Sequence, residues 1–135
     1  MVQVWGVDAI KDLIEKNLGE IWVGYNSDHY DKPMAHGILT KKLTNEERCF
    51  DFSNAIISAQ DADVPLFATL NKFGMTDYYS SPILSYDLLG DGAFFSLKQL
   101  EGFLGMNIVE SVVPFDITRP LTEEEKRDVE KYNRA

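Results

Sequence analysis

YNSDHYDKPMAHG, residues 25–37, carries both histidines of the chain, His29 and His36, with Asp28, Asp31 and the first proline, Pro33. Its conformation sets the direction of everything after it. As a loop it reverses the chain, so that EIWVGY before it (20–25) and HGILTKKL after it (36–43) pair as an antiparallel hairpin. Asp31-Lys32-Pro33 has turn chemistry, because aspartate bonds its own backbone and proline presets φ. EIWVGY is a short run rich in β-formers. The reading that follows is a hairpin.

The same loop offers two chemical alternatives. Ser27-Asp28-His29 has the letters of a hydrolytic triad, but three consecutive side chains point in different directions, whereas triads assemble from separated segments. Asp28, His29, Asp31 and His36 form an alternative ligand or metal site if the loop folds back, since neutral imidazole and carboxylate both ligate metals. Pro33 argues against a shared helix face for the two imidazoles, and no HExxH-type spacing is present. The bland reading, a polar connection, is favoured, and neither a metal nor another cofactor is expected.

The chain has 135 residues, 44% of them hydrophobic and 26% charged. That length suits one domain, as single cores serve roughly 100–200 residues. A lone cysteine, Cys49, forms no internal disulfide and no thiolate zinc site. The opening MVQVWGVDAIKDLIEK lacks the basic start and apolar run of a secretory leader, and no segment has the ~20 apolar residues of a bilayer span. A cytoplasmic protein is expected.

Net charge is −9. Between Leu43 and Leu97 stand eight acidic residues (Glu46, Glu47, Asp51, Asp61, Asp63, Asp77, Asp87, Asp91) against Arg48 and Lys72. Phosphate binding needs clustered cations, and the adjacent basic pairs here are Lys41-Lys42 and Lys126-Arg127, the second set among acids. Direct nucleic-acid binding is disfavoured. The field favours a basic partner, although acidity also serves solubility.

Elsewhere, periodicity predicts a helix in VDAIKDLIEKNLG, with Ala9, Ile10, Leu13, Ile14 and Leu18 inward and Gly19 as a left-handed cap. VQVWG before it reads as a strand. Thr44 with Glu47 predicts a capping box opening a helix over about 45–59, with Cys49, Phe52, Ile56 and Ala59 inward and Phe50 and Ile57 widening the apolar cover. PLFATLNKFG predicts a helix opened by Pro65 and stopped at Gly74. Residues 83–88 read as a strand, Gly90-Asp91-Gly92 as a turn, and Ser96 with Gln99 as the cap of a short helix ended by Gly105. NIVESVVPFDI has the strongest strand character, with Pro114 marking an edge or bulge. Thr122 with Glu125 caps a last helix, 122–134, whose thin apolar stripe (Leu121, Val129, Tyr132) makes it peripheral. The sum is an α+β single domain: a small, largely antiparallel sheet packed by four to five helices.

Three further candidates stand in the sequence. Cys49 in a helix beside Arg48 is more often a small apolar side chain than a nucleophile. Gly90-Asp91-Gly92 stands ahead of a helix, but the full G-x-x-x-x-G-K-[ST] and G-x-G-x-x-G patterns are absent, and Asp91 would repel a phosphate. The segment FGMTDYYSSPILSYDLLGD gathers Asp77, Tyr78, Tyr79, Tyr86, Asp87 and Asp91. Tyrosine is an efficient interface anchor; equally, such rings cover a core and leave hydroxyls in water.

The leading reading is a small acidic stoichiometric protein-binding module that engages a basic protein surface through those six residues. Inhibitors, immunity proteins and phage-encoded antagonists of host defence work by this physics. The alternative is a small-molecule-binding protein or small enzyme with a pocket near His29, His36 and the Gly90-Asp91-Gly92 turn. A third is a structural subunit that self-associates through the last helix.

Overall fold

The computed structural model describes residues 1–89, 96–106, 113 and 117–134. The chain divides into two compact units, residues 4–93 and residues 1–3 with 94–135. No helix among the described residues is long and apolar enough to cross a membrane.

The larger unit runs α1 (Val7–Lys16), β1 (Trp22–Gly24), a 3-10 turn (Ser27–His29), α2 (Asp31–Leu39), α3 (Glu46–Asp61), α4 (Leu66–Lys72), a second 3-10 turn (Tyr78–Ser80) and β2 (Ser85–Asp87). Mixed α and β content is as expected. The sheet is not. β1 and β2 are its two strands among the described residues, and they pair parallel, with Trp22 opposite Ser85, Val23 opposite Tyr86 and Gly24 opposite Asp87.

The difference traces to residues 25–37. Asn26 adopts a left-handed conformation (φ 55°), the 3-10 turn follows, and α2 begins at Asp31. HGILTKKL is therefore helical through Leu39, not the second arm of a hairpin. Pro33 is the third residue of α2, where its missing N–H is one of the unpaired donors of any helix start. Parallel strands need a long crossover, and α2, α3 and α4 supply it.

Helix ends also depart from expectation. Asn45, not Thr44, caps α3, its side chain accepting the Arg48 N–H at 2.8 Å. α1 closes on Asn17, whose side-chain amide donates to the Leu13 carbonyl, and not on Gly19. Residues 2–6 are not a strand. α4 follows Pro65 directly, and Gly74 takes positive φ (74°) behind it.

One core fills this unit: Val7 and Ile14 from α1, Ile38 from α2, Leu43 from the connection after it, Phe52 and Ile56 from α3, Leu70 from α4, and Phe73, Met75, Tyr78 and Ile83. Phe52 and Phe73 meet edge to face at 5.0 Å, a favoured aromatic geometry. Phe50 and Ile57, expected to extend the cover of α3, are exposed, so α3 buries a single stripe.

In the smaller unit, α5 (Leu97–Phe103) carries the expected Ser96–Gln99 capping box, followed by Gly105 at φ 72°. α6 (Glu123–Arg134) carries the Thr122–Glu125 box. Arg119 adds a two-point grip on Glu125, which holds that carboxyl well below the usual range, at about 2. Gln3 donates to the Glu130 carbonyl of α6. NIVESVVPFDI, apart from Val113 and the final isoleucine, and the Gly90-Asp91-Gly92 turn lie outside the described residues.

Candidate functional site

His36 sits at the middle of α2, 1% exposed, and both ring nitrogens are engaged. Nε2 lies 3.0 Å from Asp77 Oδ1 and Nδ1 lies 2.9 Å from Ser81 Oγ. With the proton on Nε2, the chain of bonds closes. Nε2–H donates to the carboxylate, the Ser81 hydroxyl donates to Nδ1, and the Ile83 N–H donates to Ser81 Oγ at 3.3 Å. The His36 bond is the main force holding the Asp77 carboxyl below its ordinary range; desolvation opposes it.

A serine, a histidine and an aspartate in sequence-distant contact are the parts of a nucleophilic triad. Their burial runs the wrong way for one: the imidazole is enclosed, while the Asp77 side chain is 55% exposed. The Tyr78 ring closes over His36 edge to face at 5.7 Å. The cluster is a polar brace that ties α2 to residues 77–81.

His29 lies elsewhere. It is exposed, and with Gln60, Asp63 and Thr69 it lines a groove of about 310 Å³ between the first 3-10 turn, α3 and α4. The two imidazoles do not share a site. Among the described residues no three of His, Cys, Asp and Glu gather as metal ligands. Cys49 is half-buried in α3, and burial, with the Glu46 charge, pushes its thiol up, away from a reactive thiolate.

Of the six residues singled out for partner binding, Tyr78 proves to be core. It is 6% exposed, and its hydroxyl donates to the Asp28 carbonyl at 2.9 Å. Burial, then the charges of Asp28, Tyr79 and Asp87, raise it far above the normal tyrosine range. Tyr79 (75% exposed) and Tyr86 (63%) do face solvent. Asp91 lies outside the described residues.

Asp87 has an internal task. Oδ1 accepts the N–H groups of Asn26 (2.7 Å) and Leu89 (2.9 Å), and Oδ2 that of Asp28 (3.0 Å). Desolvation pushes this carboxyl up, but the three N–H bonds outweigh it and the net shift is downward. Asp87 thus pins the β1–α2 connection from the neighbouring strand. Asp28 and Asp31 lie nearby, and the Asp87 charge helps raise the Asp31 pKa, behind desolvation as the larger cause.

The feature that sequence reasoning missed is the outer face of the ribbon. Side chains alternate along a strand, so residues two apart share a face. Ile21 (68% exposed), Val23 (61%), Leu84 (54%), Tyr86 (63%) and Leu88 (56%) all stand outward, with Val23 and Tyr86 directly opposite. Both runs show the period in the sequence. It was invisible as a surface because alternation does not say which face is covered.

Comparison with protein-family models, curated proteins and solved structures finds no match to this chain.

Proposed function

We propose that this protein is a stoichiometric protein-binding module, of the inhibitor or antagonist kind, that docks a basic protein surface on the outer face of the β1–β2 ribbon. The observation that carries the reading is the row Ile21, Val23, Leu84, Tyr86 and Leu88, large apolar side chains gathered on one face and left in water. Contiguous exposed apolar patches mark interaction sites far more often than chance, unlike single exposed residues. The partner's sign follows from charge. The chain carries −9, and Asp28, Asp31 and Asp87 stand together at the carboxyl end of the same strands. A surface with an apolar centre and cationic rim meets both demands, the fields speeding encounter and the anchors setting lifetime.

The test is capture from native lysate at low and high salt by the wild type and by Val23→Asp, with mass spectrometry of what is retained. The expected result is a basic protein held in a 1:1 complex, lost by Val23→Asp, and associating more slowly as salt rises. Tyr86→Ala should weaken that complex about tenfold or more, as truncation of an interface anchor does. Equal capture by Val23→Asp, whose folding is checked by circular dichroism, or capture of nothing, removes the reading.

A further inference from the structure

The two sides of the β1–β2 ribbon differ. Inward, Trp22 packs against the core and the Ser85 hydroxyl oxygen is buried. Outward stand Ile21, Val23, Leu84, Tyr86 and Leu88, each more than half exposed. We infer that this outer face receives one amphipathic, basic α-helix of the partner, laid along the two strands. The inference rests on the docking reading above and names the element that docks.

Three observations select a helix of that kind. The first is the parallel pairing, with Val23 opposite Tyr86. Parallel sheets occur almost only with both faces covered, because helices pack on either side of them. Here the described residues leave the outer row open, and a second helical layer is what would bury it. A partner strand added at an edge would widen the sheet and leave the row in water. The ribbon lacks a layer, not an edge.

The second is size. Paired strands lie about 4.8 Å apart and an α-helix is about 10 Å across, so one helix spans the ribbon. Along the strands the row runs from Leu84 to Leu88, about 13 Å, which about three helical turns cover. The third is charge. No lysine or arginine occurs between Asn17 and Asp31 or between Phe73 and Leu97, the stretches that carry the two strands. Exposed Glu20 precedes the row at one end; at the other, exposed Asp28 donates its backbone N–H to Asp87. Carboxylates thus flank the apolar centre at both ends. Lysines or arginines beside the apolar stripe of a helix complement them, whereas a second copy of this chain would bring a further −9.

The experiment is an NMR and circular-dichroism titration of the full chain with three peptides of about 14 residues, long enough for three turns. One has leucine and lysine at helical spacing, one has the same residues in strict alternation, and one has the helical order with glutamate for lysine. Expected from the first are saturable shifts at the amides of Ile21, Val23, Tyr86 and Leu88, a gain of peptide helicity, and binding about tenfold or more tighter than that of the other two. Val23→Asp and Tyr86→Ala, both at exposed positions, should each lose about tenfold or more. Glu20→Lys combined with Asp28→Lys should lose as much, while the same reversal at Asp51 and Asp61 of α3 should cost far less.

Equal or tighter binding of the alternating peptide at those amides overturns the helix and leaves the docking face standing. The absence of saturable shifts with the helical basic peptide overturns it as well; the docking reading is then decided by lysate capture and its loss in Val23→Asp, which do not depend on the peptides. Equal weakening by the α3 reversals would mean that the field of the whole molecule draws the peptide, and overturns the inference too. So does a dimer of the free chain in sedimentation that Val23→Asp dissolves, since it gives the face to a second copy.

Discussion

Asp87 shows how far one carboxylate can act inside a small domain. Its three N–H bonds span β2 and the connection after β1, where Asn26 holds a left-handed backbone. Asp87→Asn keeps the shape but turns an amide donor toward one of those N–H groups. The loss expected at neutral pH is about 1 kcal/mol, at the low end for charge-assisted bonds because these are solvent-screened. Its pH dependence has a definite sign. A depressed carboxyl stabilises the fold above its unfolded pKa, and that contribution disappears as pH falls through the folded value, so the window lies below pH ~4. Denaturant midpoints measured from neutral pH into acid should show the variant's deficit shrinking toward zero on the acid side. A deficit that stays constant would mean that charge is not the cause. In the sequence Asp87 reads as a surface anion, since nothing local reveals a bond to residues so far away in the chain.

Among the elements, α2 is where sequence and structure part, and the reason is packing. Gly37 and Pro33 both lower helix propensity, and turn-forming residues precede them. Tertiary contact overrides this. Gly37 lies against Leu43 and Met75, where a Cβ would come 2.6 Å from Leu43 Cδ1 and 3.0 Å from Met75 Sδ. Gly37→Ala should therefore destabilise the protein. Alanine gains about 1 kcal/mol of helix propensity, but overpacking against the fully buried Leu43 costs about 1–3 kcal/mol. The expected net loss, up to about 2 kcal/mol, is read from the chemical-denaturation midpoint; a more stable variant would show that the contact is slack. α1, α3, α4, α5 and α6 were legible because each combines an apolar period with punctuation at one end at least. The caps of α5 and α6 were found at the residue, whereas Asn45 was missed because Thr44 beside it offers the same signal. The His36 cluster could not be read in advance, because His36, Asp77 and Ser81 are joined only by the fold.

For the molecule as a whole, a net charge of −9 on 135 residues opposes compaction through self-repulsion. Raising salt from about 20 mM to about 300 mM shortens the screening length severalfold, so the thermal midpoint should rise by a few degrees. A midpoint that falls instead would mean that ion pairs such as Arg119–Glu125 and Lys126–Glu123 contribute more than the excess charge takes away. Screening thus acts in opposite senses on the free protein and on its encounter with a cationic partner. The parallel ribbon carries a consequence of its own, in time. β1 and β2 touch only across the whole length of α2, α3 and α4. Closing so large a loop for three residue pairs repays its entropy poorly until those helices have condensed. The ribbon should zip last on refolding and open first on unfolding, leaving its apolar face the last part of the protein to take shape.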